Sequence, residues 1–491
     1  MASEKLNQEA KAAGDALTSD TSPRPDLKKH ITSKSKMIHT YHDKAEDVLI
    51  EERDKSDKQV MRRWIHRADR SVTEVCLPRP LLEESTVSQA QLPIDASSSI
   101  GFSLRDLRQM AVDAFLPIGF PHSVSPDYLE YQMYDSLQAF FSTITSLLAN
   151  RAILQGLGVG DASTTATYAL LLTILQDAIS RVATIVFAYR FGLAIEPDAK
   201  RYRYLADVFN DSAFFLDLAS PYLDTWSKIL ALTIASALRA LCGVAAGASK
   251  AALSSHFARS NNLAELNAKE ASQETAVGLC GLFVGSILVN FVERRETVFS
   301  LMIILVFVHL YMNYRGVRCV QLNTLNQQRA TILMQHWFSS GGEILSPSQV
   351  AQKESIVFWT PNIVPQNGRP HFRLAMAKSY ADMTRKWSEG KGYIIAWKMT
   401  AETLQGKIIL TKLDEGIEPH AAIKAWYEGI ATGWHGQHPL WCTDRLADRE
   451  RFIRRAEDAG WNIDENCLET AIPFRICLLP VVDGQEDKKD L

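Results

Sequence analysis

Apolar residues are distributed along this chain in three different ways. From residue 1 to about 100 they are sparse, and Lys, Asp, Glu and Ser dominate between Met1 and Lys58. Such a stretch buries too little surface to offset its ordering entropy, so it reads as a disordered tail with one helix around Ala45 to Arg63. From about 101 to 335 apolar residues run together. Ala276 to Val292 holds no charge, Thr297 to Tyr314 has only His309, Tyr311 and Tyr314 as ionisable members, and Ile229 to Ser249 has the single charge Arg239. From about 355 to 480 the pattern becomes mixed. Gly392 to Lys398 and Gly406 to Thr411 read as paired strands, Phe474 to Leu479 as a last strand. Ala421 to Thr432 and Asp444 to Ala459 carry helical spacing.

The middle region predicts membrane spans. A hydrocarbon core about 30 Å thick needs roughly 20 apolar residues in a helix. Thr164 to Leu193 is a fourth candidate, interrupted by Asp177 and Arg181, while Tyr131 to Leu154 is amphipathic and reads as interfacial or packed inside the bundle. A large soluble helical core is the alternative. Two consecutive uncharged runs, joined only by Glu293-Arg294-Arg295-Glu296, favour the bilayer. Small residues at Gly243 to Ala248 and at Gly278, Gly281 and Gly285 predict close helix approach. If the three strongest runs each cross once, Lys250, Arg259, Lys269, Arg315, Arg318 and Arg329 share one side, and the positive-inside rule places that side in the cytosol or its equivalent.

The predicted architecture is therefore mostly α: a multi-helix membrane-associated bundle followed by a small α/β C-terminal domain, with a disordered N-terminal tail. The boundaries are 1–100 for the polar region, 101–335 for the helical domain, 336–370 for a Pro-marked linker, 371–482 for the α/β domain and 483–491 for a charged tail. Composition alone hides this partition. The 491 residues are 46% hydrophobic and 22% charged, the net charge is −3, and there are seven scattered cysteines. These values exclude a disulfide scaffold and a basic nucleic-acid binder. No apolar stretch follows Met1 as in a secretory signal, and Glu4, Glu9, Asp15 and Asp20 argue against a transit peptide. The basic cluster Arg62, Arg63, Arg67 and Arg70 around Trp64 reads as a solvated face.

Catalytic motifs are missing: the chain has no Walker loop, HExxH, CxxC pair or G-x-S-x-G elbow. His435, His438 and Cys442 have zinc-ligand chemistry but no evident fourth ligand, and a turn with incidental histidines explains them better. The glycines Gly156, Gly158 and Gly160 with Asp161 could cradle a phosphate at a helix start, or simply form a tight turn with an N-cap. Charges within the apolar runs are the stronger clue. Asp177 and Arg181 share a helix face, Arg239 sits mid-run, and Gln273-Glu274 opens the next run. Two readings stand side by side: a polar intramembrane site framed by Asp177, Arg181, Arg239 and Glu274, or structural pairs that neutralise one another. A loose echo between Gly156–Ser163 and Gly243–Ser249, each followed by an acidic residue, resembles a transporter repeat, although the spacings differ.

Several segments carry a resemblance. FLPIGFPHSVSPDYLEYQMYDSLQ (115–138), RAILQGLGVGDAS (151–163), RYRYLADVFNDSAFFLDL (201–218), GVAAGASKAALSSHFARSNNLAELNAKEASQETAV (243–277) and HLYMNYRGVRCVQLNTLN (309–326) resemble, in order and spacing, the RUS domain family, named after the plant proteins called root UVB sensitive. Asn261, Asn262 and Gln273 fall in these family-motif loops together with Gly156, Gly158, Gly160 and Asp161. Gln176, Ala178 and the run Ala246 to Lys250 depart mildly from the family pattern. The resemblance implies a membrane-associated helical protein without established catalytic activity. It also implies links to seedling development, ultraviolet-B response, vitamin B6 homeostasis and auxin transport in plant relatives. A pyridoxal phosphate imine at Lys250 is rejected, because the family pattern has Arg there and Arg supplies no neutral amine.

The expectation is thus a non-enzymatic integral protein of an intracellular membrane whose organelle is undetermined. It would handle or transport a small solute, anionic or vitamin B6-related, or scaffold a partner. Its partners are the lipid bilayer, a small-molecule solute and a protein partner or homologue in a homo- or hetero-oligomer, with no nucleic acid, no cofactor and no metal. The alternative is a soluble or peripheral regulatory module acting through its α/β domain. An enzyme built on the loop around Asp161 is weakest.

Overall fold

The computed structural model describes residues 48–53, 60–66, 72–75, 110, 112–156, 166–292, 294–363, 365, 371–379, 387–390, 392–399, 403–411, 420–435, 444–465, 467–470 and 475–476. The chain separates into two units, 1–99 and 100–491. In the first, β1 (Val48–Arg53), β2 (Val60–His66) and β3 (Val72–Val75) form an antiparallel sheet in that order. Strands therefore stand where a helix around 45–63 was expected. The reason is local: VLIEER and VMRRWIH are rich in β-branched and aromatic residues, which fit a pleated strand better than a helix.

The second unit begins with six long helices: α1 (Tyr128–Gly156), α2 (Ala166–Ile195), α3 (Ala199–Ala219), α4 (Thr225–Phe257), α5 (Leu263–Phe291) and α6 (Arg295–Cys319). Asp224 caps α4 by accepting from the N–H groups of Trp226 and Ser227 at 3.2 and 3.3 Å. Four helices, at 170–195, 225–257, 263–291 and 295–319, are long and apolar enough to cross a membrane. They contain the four apolar runs, the 164–193 run from residue 170 on and the 276–292 run up to Phe291. Their outward faces remain apolar, with Leu170, Ile185, Phe283, Ile304 and Phe307 all exposed. The amphipathic α1 is packed inside, against α5, α6 and α3, while α4 packs on α3 and α2. Although consecutive, α4 and α5 pack little against each other, and they leave a groove.

Two of the predicted close approaches exist. A Cβ built on Gly281 would stand 2.9 Å from the Thr143 Cβ and 3.1 Å from the Phe140 carbonyl oxygen, and one on Gly285 would meet Leu147. These glycines let α5 sit against α1. Gly243, Gly247 and Gly278 have nothing within 4 Å of such a Cβ, so no contact inside the chain requires them to be glycine.

After α6 the chain forms α7 (Gln327–Ser340) and α8 (Pro347–Lys353), then β4 (Asn362–Ile363), β5 (His371–Met376), β6 (Trp387–Gly390), β7 (Tyr393–Met399), β8 (Thr403–Leu410), α9 (Ala421–His435) and α10 (Asp444–Asp458). The sheet order is β4-β5-β8-β7-β6, with β5 and β8 parallel and the other neighbours antiparallel. The β7–β8 pair and the helices α9 and α10 stand where their sequence signals lie. Of the expected last strand at 474–479, the described part is Arg475 and Ile476, and Ile476 makes a parallel bridge to Thr411. The segment read as a linker, 336–370, contains α8 and the end of α7, and both are in the core of this domain. Ala330, Leu333, Met334 and Trp337 form an apolar stripe on α7 that packs with Val350, Trp426, Tyr427 and Phe452. Ser346 and Gln349 close a capping box on α8 behind Pro347.

Gly281 and Gly278 lie one turn apart on α5 and should respond oppositely to Ala. Gly281→Ala is expected to cost about 1–3 kcal/mol through overpacking. Gly278→Ala should be neutral or stabilising by up to about 1 kcal/mol. Thermal unfolding of the two purified variants checks this, and equal shifts would contradict the α1–α5 contact.

Candidate functional site

The groove between α4 and α5 is floored by α1 and α3 and encloses a cavity of about 520 Å³. The floor is polar because α1 carries Asp135, Gln138, Ser142, Ser146 and Asn150 at spacings of three and four residues, which puts them on one face. Arg239 stands on the α4 wall and Glu274 on the α5 wall.

Below this floor is a buried charge network. The Arg203 guanidinium on α3 donates to Asp135 at 2.7 Å and to Gln138 at 3.0 Å on α1, and to both oxygens of Asp207 at 3.3 Å. The Gln138 amide donates to Asp207 in turn. Asn313 on α6 donates to Asp207 and to the Arg203 carbonyl. His309, one turn earlier on α6, is 1% exposed. Its Nδ1 lies 2.8 Å from Asp211 and its Nε2 lies 3.7 Å from Asp207. The His309 Nε2 and one Asp211 oxygen are buried without a hydrogen-bond partner. Three carboxylates thus share one guanidinium and one imidazole in a buried space, where each charge needs a partner.

The four charges expected to frame a polar site are only partly assembled. Arg239 and Glu274 line the same groove, and each is paired: Arg239 with buried Asp217, Glu274 with Lys250, which also lies 4.0 Å from Glu270. Asp177 and Arg181 are exposed on the outer side of α2 and are absent from the groove lining. Among the motif-loop residues, Gln273 donates to the Phe115 carbonyl, Asn262 starts α5, and Asn261 has the left-handed φ of 53°. Gly156 ends α1, whereas Gly158, Gly160 and Asp161 lie outside the described residues. His438 and Cys442 also lie outside them, and no metal-holding group of His, Cys, Asp and Glu occurs among the described residues.

The residues that sequence reasoning missed are Asp135, Gln138, Arg203, Asp207 and Asn313. Their signal was present as four-residue spacing in 201–211, where Arg203, Asp207 and Asp211 recur on one helix face.

At the end of the bundle, Asp127 joins three segments. It accepts from Ser125 at 2.5 Å, from the Gln321 N–H at 2.6 Å and from the His256 Nε2 at 3.0 Å. A second cavity of about 600 Å³ opens beside it, between the bundle and the turn after α10 at Gly460 to Cys467. Burial alone would raise the Asp127 carboxyl, but the bond to and attraction of His256, with the Ser125 and Gln321 donors, outweigh it and hold its pKa at about 2.

Long apolar helices around a charged interior, followed by a small α/β domain, define a helical protein compatible with membrane association. Within that class, residues 103–341 match the family described as the vitamin B6 photo-protection and homoeostasis domain. The chain is 35% identical to protein root UVB sensitive 3 of Arabidopsis thaliana over 405 residues, covering 78% of this chain and 90% of that protein. It is 39% identical to RUS family member 1 of Dictyostelium discoideum over 249 residues, 50% of this chain and 47% of that protein, so it spans about half the Dictyostelium protein's length. Protein root UVB sensitive 2, chloroplastic, of Arabidopsis thaliana is 29% identical over 262 residues, 52% of this chain and 59% of that protein. No solved structure matches. The chain belongs to the RUS (root UVB sensitive) family.

The depressed Asp127 carboxyl predicts acid sensitivity. An unfolded Asp titrates near ~3.9, so its contribution of about 2 kcal/mol is fully present above about pH 5 and is lost as pH falls through 4 towards 2. Asp127→Asn should lower stability by that amount at pH 7, with the difference from the parent chain vanishing near pH 2. Denaturant unfolding of both proteins across this range checks the sign, and a pH-independent difference would contradict it.

Proposed function

We propose that this chain is an integral membrane protein that binds and passes a small polar solute through the groove between α4 and α5. What supports this reading is one juxtaposition. A floor of hydroxyl, amide and carboxyl groups, with a guanidinium on one wall and a carboxylate on the other, opens between helices whose outer faces are apolar. In a bilayer, polar groups at that depth are expensive and mark water-filled or solute-filled paths. The match of residues 103–341 to a vitamin B6 photo-protection and homoeostasis domain makes B6 vitamers the first solutes to try. Their size suits a cavity of about 520 Å³.

The chemistry needs only reversible contacts. Arg239 is partly exposed despite its pairing with Asp217, so a phosphate or carboxylate could share its guanidinium. Glu274 on the opposite wall, with Lys250 beside it, faces the other end of the solute.

Uptake of pyridoxal 5′-phosphate and of pyridoxine into proteoliposomes tests the reading. Arg239→Lys and Glu274→Gln should each lower the initial rate about tenfold or more while leaving reconstitution unchanged. Flux no higher than in protein-free vesicles for either vitamer, or equal flux in both variants and the parent chain, would sink it. Alkaline carbonate extraction that frees the chain from membranes would remove its premise.

A further inference from the structure

The groove does not account for Asp177 and Arg181. Both lie on α2, the helix at 166–195 that contributes one of the four apolar spans and is little buried inside the chain. Its inner face is settled by contact. Ser180 meets Ser236 of α4 at 2.9 Å, and Phe187 is buried in the cluster with Ala245. Asp177, three residues before Ser180, and Arg181, one after it, lie on the flank of that face, and both are exposed. Neither makes an ion pair with a described residue, although four-residue spacing puts them near each other. Around them the outer surface is apolar, with Leu170, Ile174, Val182 and Ile185 all more than half exposed.

On the membrane reading of this chain, that arrangement is incomplete. A carboxylate and a guanidinium within the span would face hydrocarbon, where ionised side chains occur almost only against protein or water. Arg181 is too far from either end of α2 for its head to reach the interface fully. Something of complementary charge has to cover this face.

The geometry points to a second copy of this chain as that cover, in a two-fold dimer through α2. Copies in one membrane share one orientation, so a two-fold axis along the membrane normal sets the two α2 helices side by side and parallel. Arg181 then lies one turn, roughly 6 Å, beyond Asp177 of the other copy along the axis. Helical side chains lean towards the helix N-terminus, so each Arg181 reaches back to the level of the opposite Asp177. Two reciprocal ion pairs form, and the surface is complementary to itself. Ala188 and Gly192 continue the same face at spacings of seven and four residues, and a Cβ on Gly192 would meet nothing within 4 Å inside the chain. They leave room for the second helix where the charged pair ends.

Light scattering of the full chain in mild detergent tests the dimer. The parent chain should have twice the 54.9 kDa chain mass. Asp177→Arg places four cations at the contact and Arg181→Asp four anions, so each variant alone should be monomeric. Co-purification of the two differently tagged variants should restore a one-to-one dimer, which a misfolded variant could not do. A monomeric parent chain, or single variants that remain dimeric, would overturn the inference. The readout is mass rather than flux, so it can fail while vitamer uptake stands. Release of the chain by carbonate would overturn both.

Discussion

Arg203 brings a permanent positive charge into the interior of the helical unit, and the arrangement of the helices follows from where it finds acceptors. Two come from α1 and one from its own helix, and the Asp207 carboxylate it holds is also held by Asn313 of α6. A buried guanidinium with any of these removed would leave charges without partners, at a cost of several kcal/mol. Helices α1, α3 and α6 are therefore fixed to one another by polar contacts, not only by apolar packing. The apolar helices α2, α4 and α5 take the outside, together with the outer face of α6. The partition is not strictly radial, because α6 joins the network through His309 and Asn313 while its Ile304 and Phe307 stay exposed.

The same network carries an imbalance. Asp135, Asp207 and Asp211 face Arg203 and His309, and His309 has one nitrogen near each of two carboxylates. The two atoms without hydrogen-bond partners, one on His309 and one on Asp211, lie in this most negative part of the interior. Asp135, although buried, also borders the groove.

Much of the fold was legible in the chain because lipid-scale apolar runs are a strong, additive signal. The 229–249 run lies inside α4, 276–292 ends with α5, and 297–314 lies inside α6. The α/β strands and α9 and α10 were legible through period and turn residues. The site was legible only in part. Arg239 and Glu274 stood out because each is a lone charge in or at the head of an apolar run. Asp135 and Arg203 did not, because α1 and α3 mix polar and apolar residues and read as surface helices until their neighbours are known. Asp177 and Arg181 show the complementary limit. Spacing places two residues on one helix face but says nothing about whether that face is covered, and the exposure of both side chains decides it. Helices α7 and α8 were obscured by the prolines and glycines around them, although the Ala330–Trp337 stripe was already a core signal.

The position of α3 links the groove to the C-terminal domain. Its first turn carries Lys200, whose ammonium pairs with Glu354 at the end of α8, and Glu354 also accepts from Arg329 of α7 at 3.0 Å. All three side chains are buried. Burial would raise the Glu354 carboxyl, yet Lys200 and Arg329 hold it below the ordinary carboxylate range, so it remains a charged anchor. Three residues further along the same helix, Arg203 grips the groove floor. A shift of α3 that loosened Arg203 from Asp135 would displace Lys200 from a buried carboxylate at the same time. Because α7 and α8 are part of the α/β core, that displacement reaches the sheet through packed side chains and not through a flexible tether. The C-terminal domain is therefore joined to the helical bundle through the buried Lys200–Glu354–Arg329 contacts as well as through the chain.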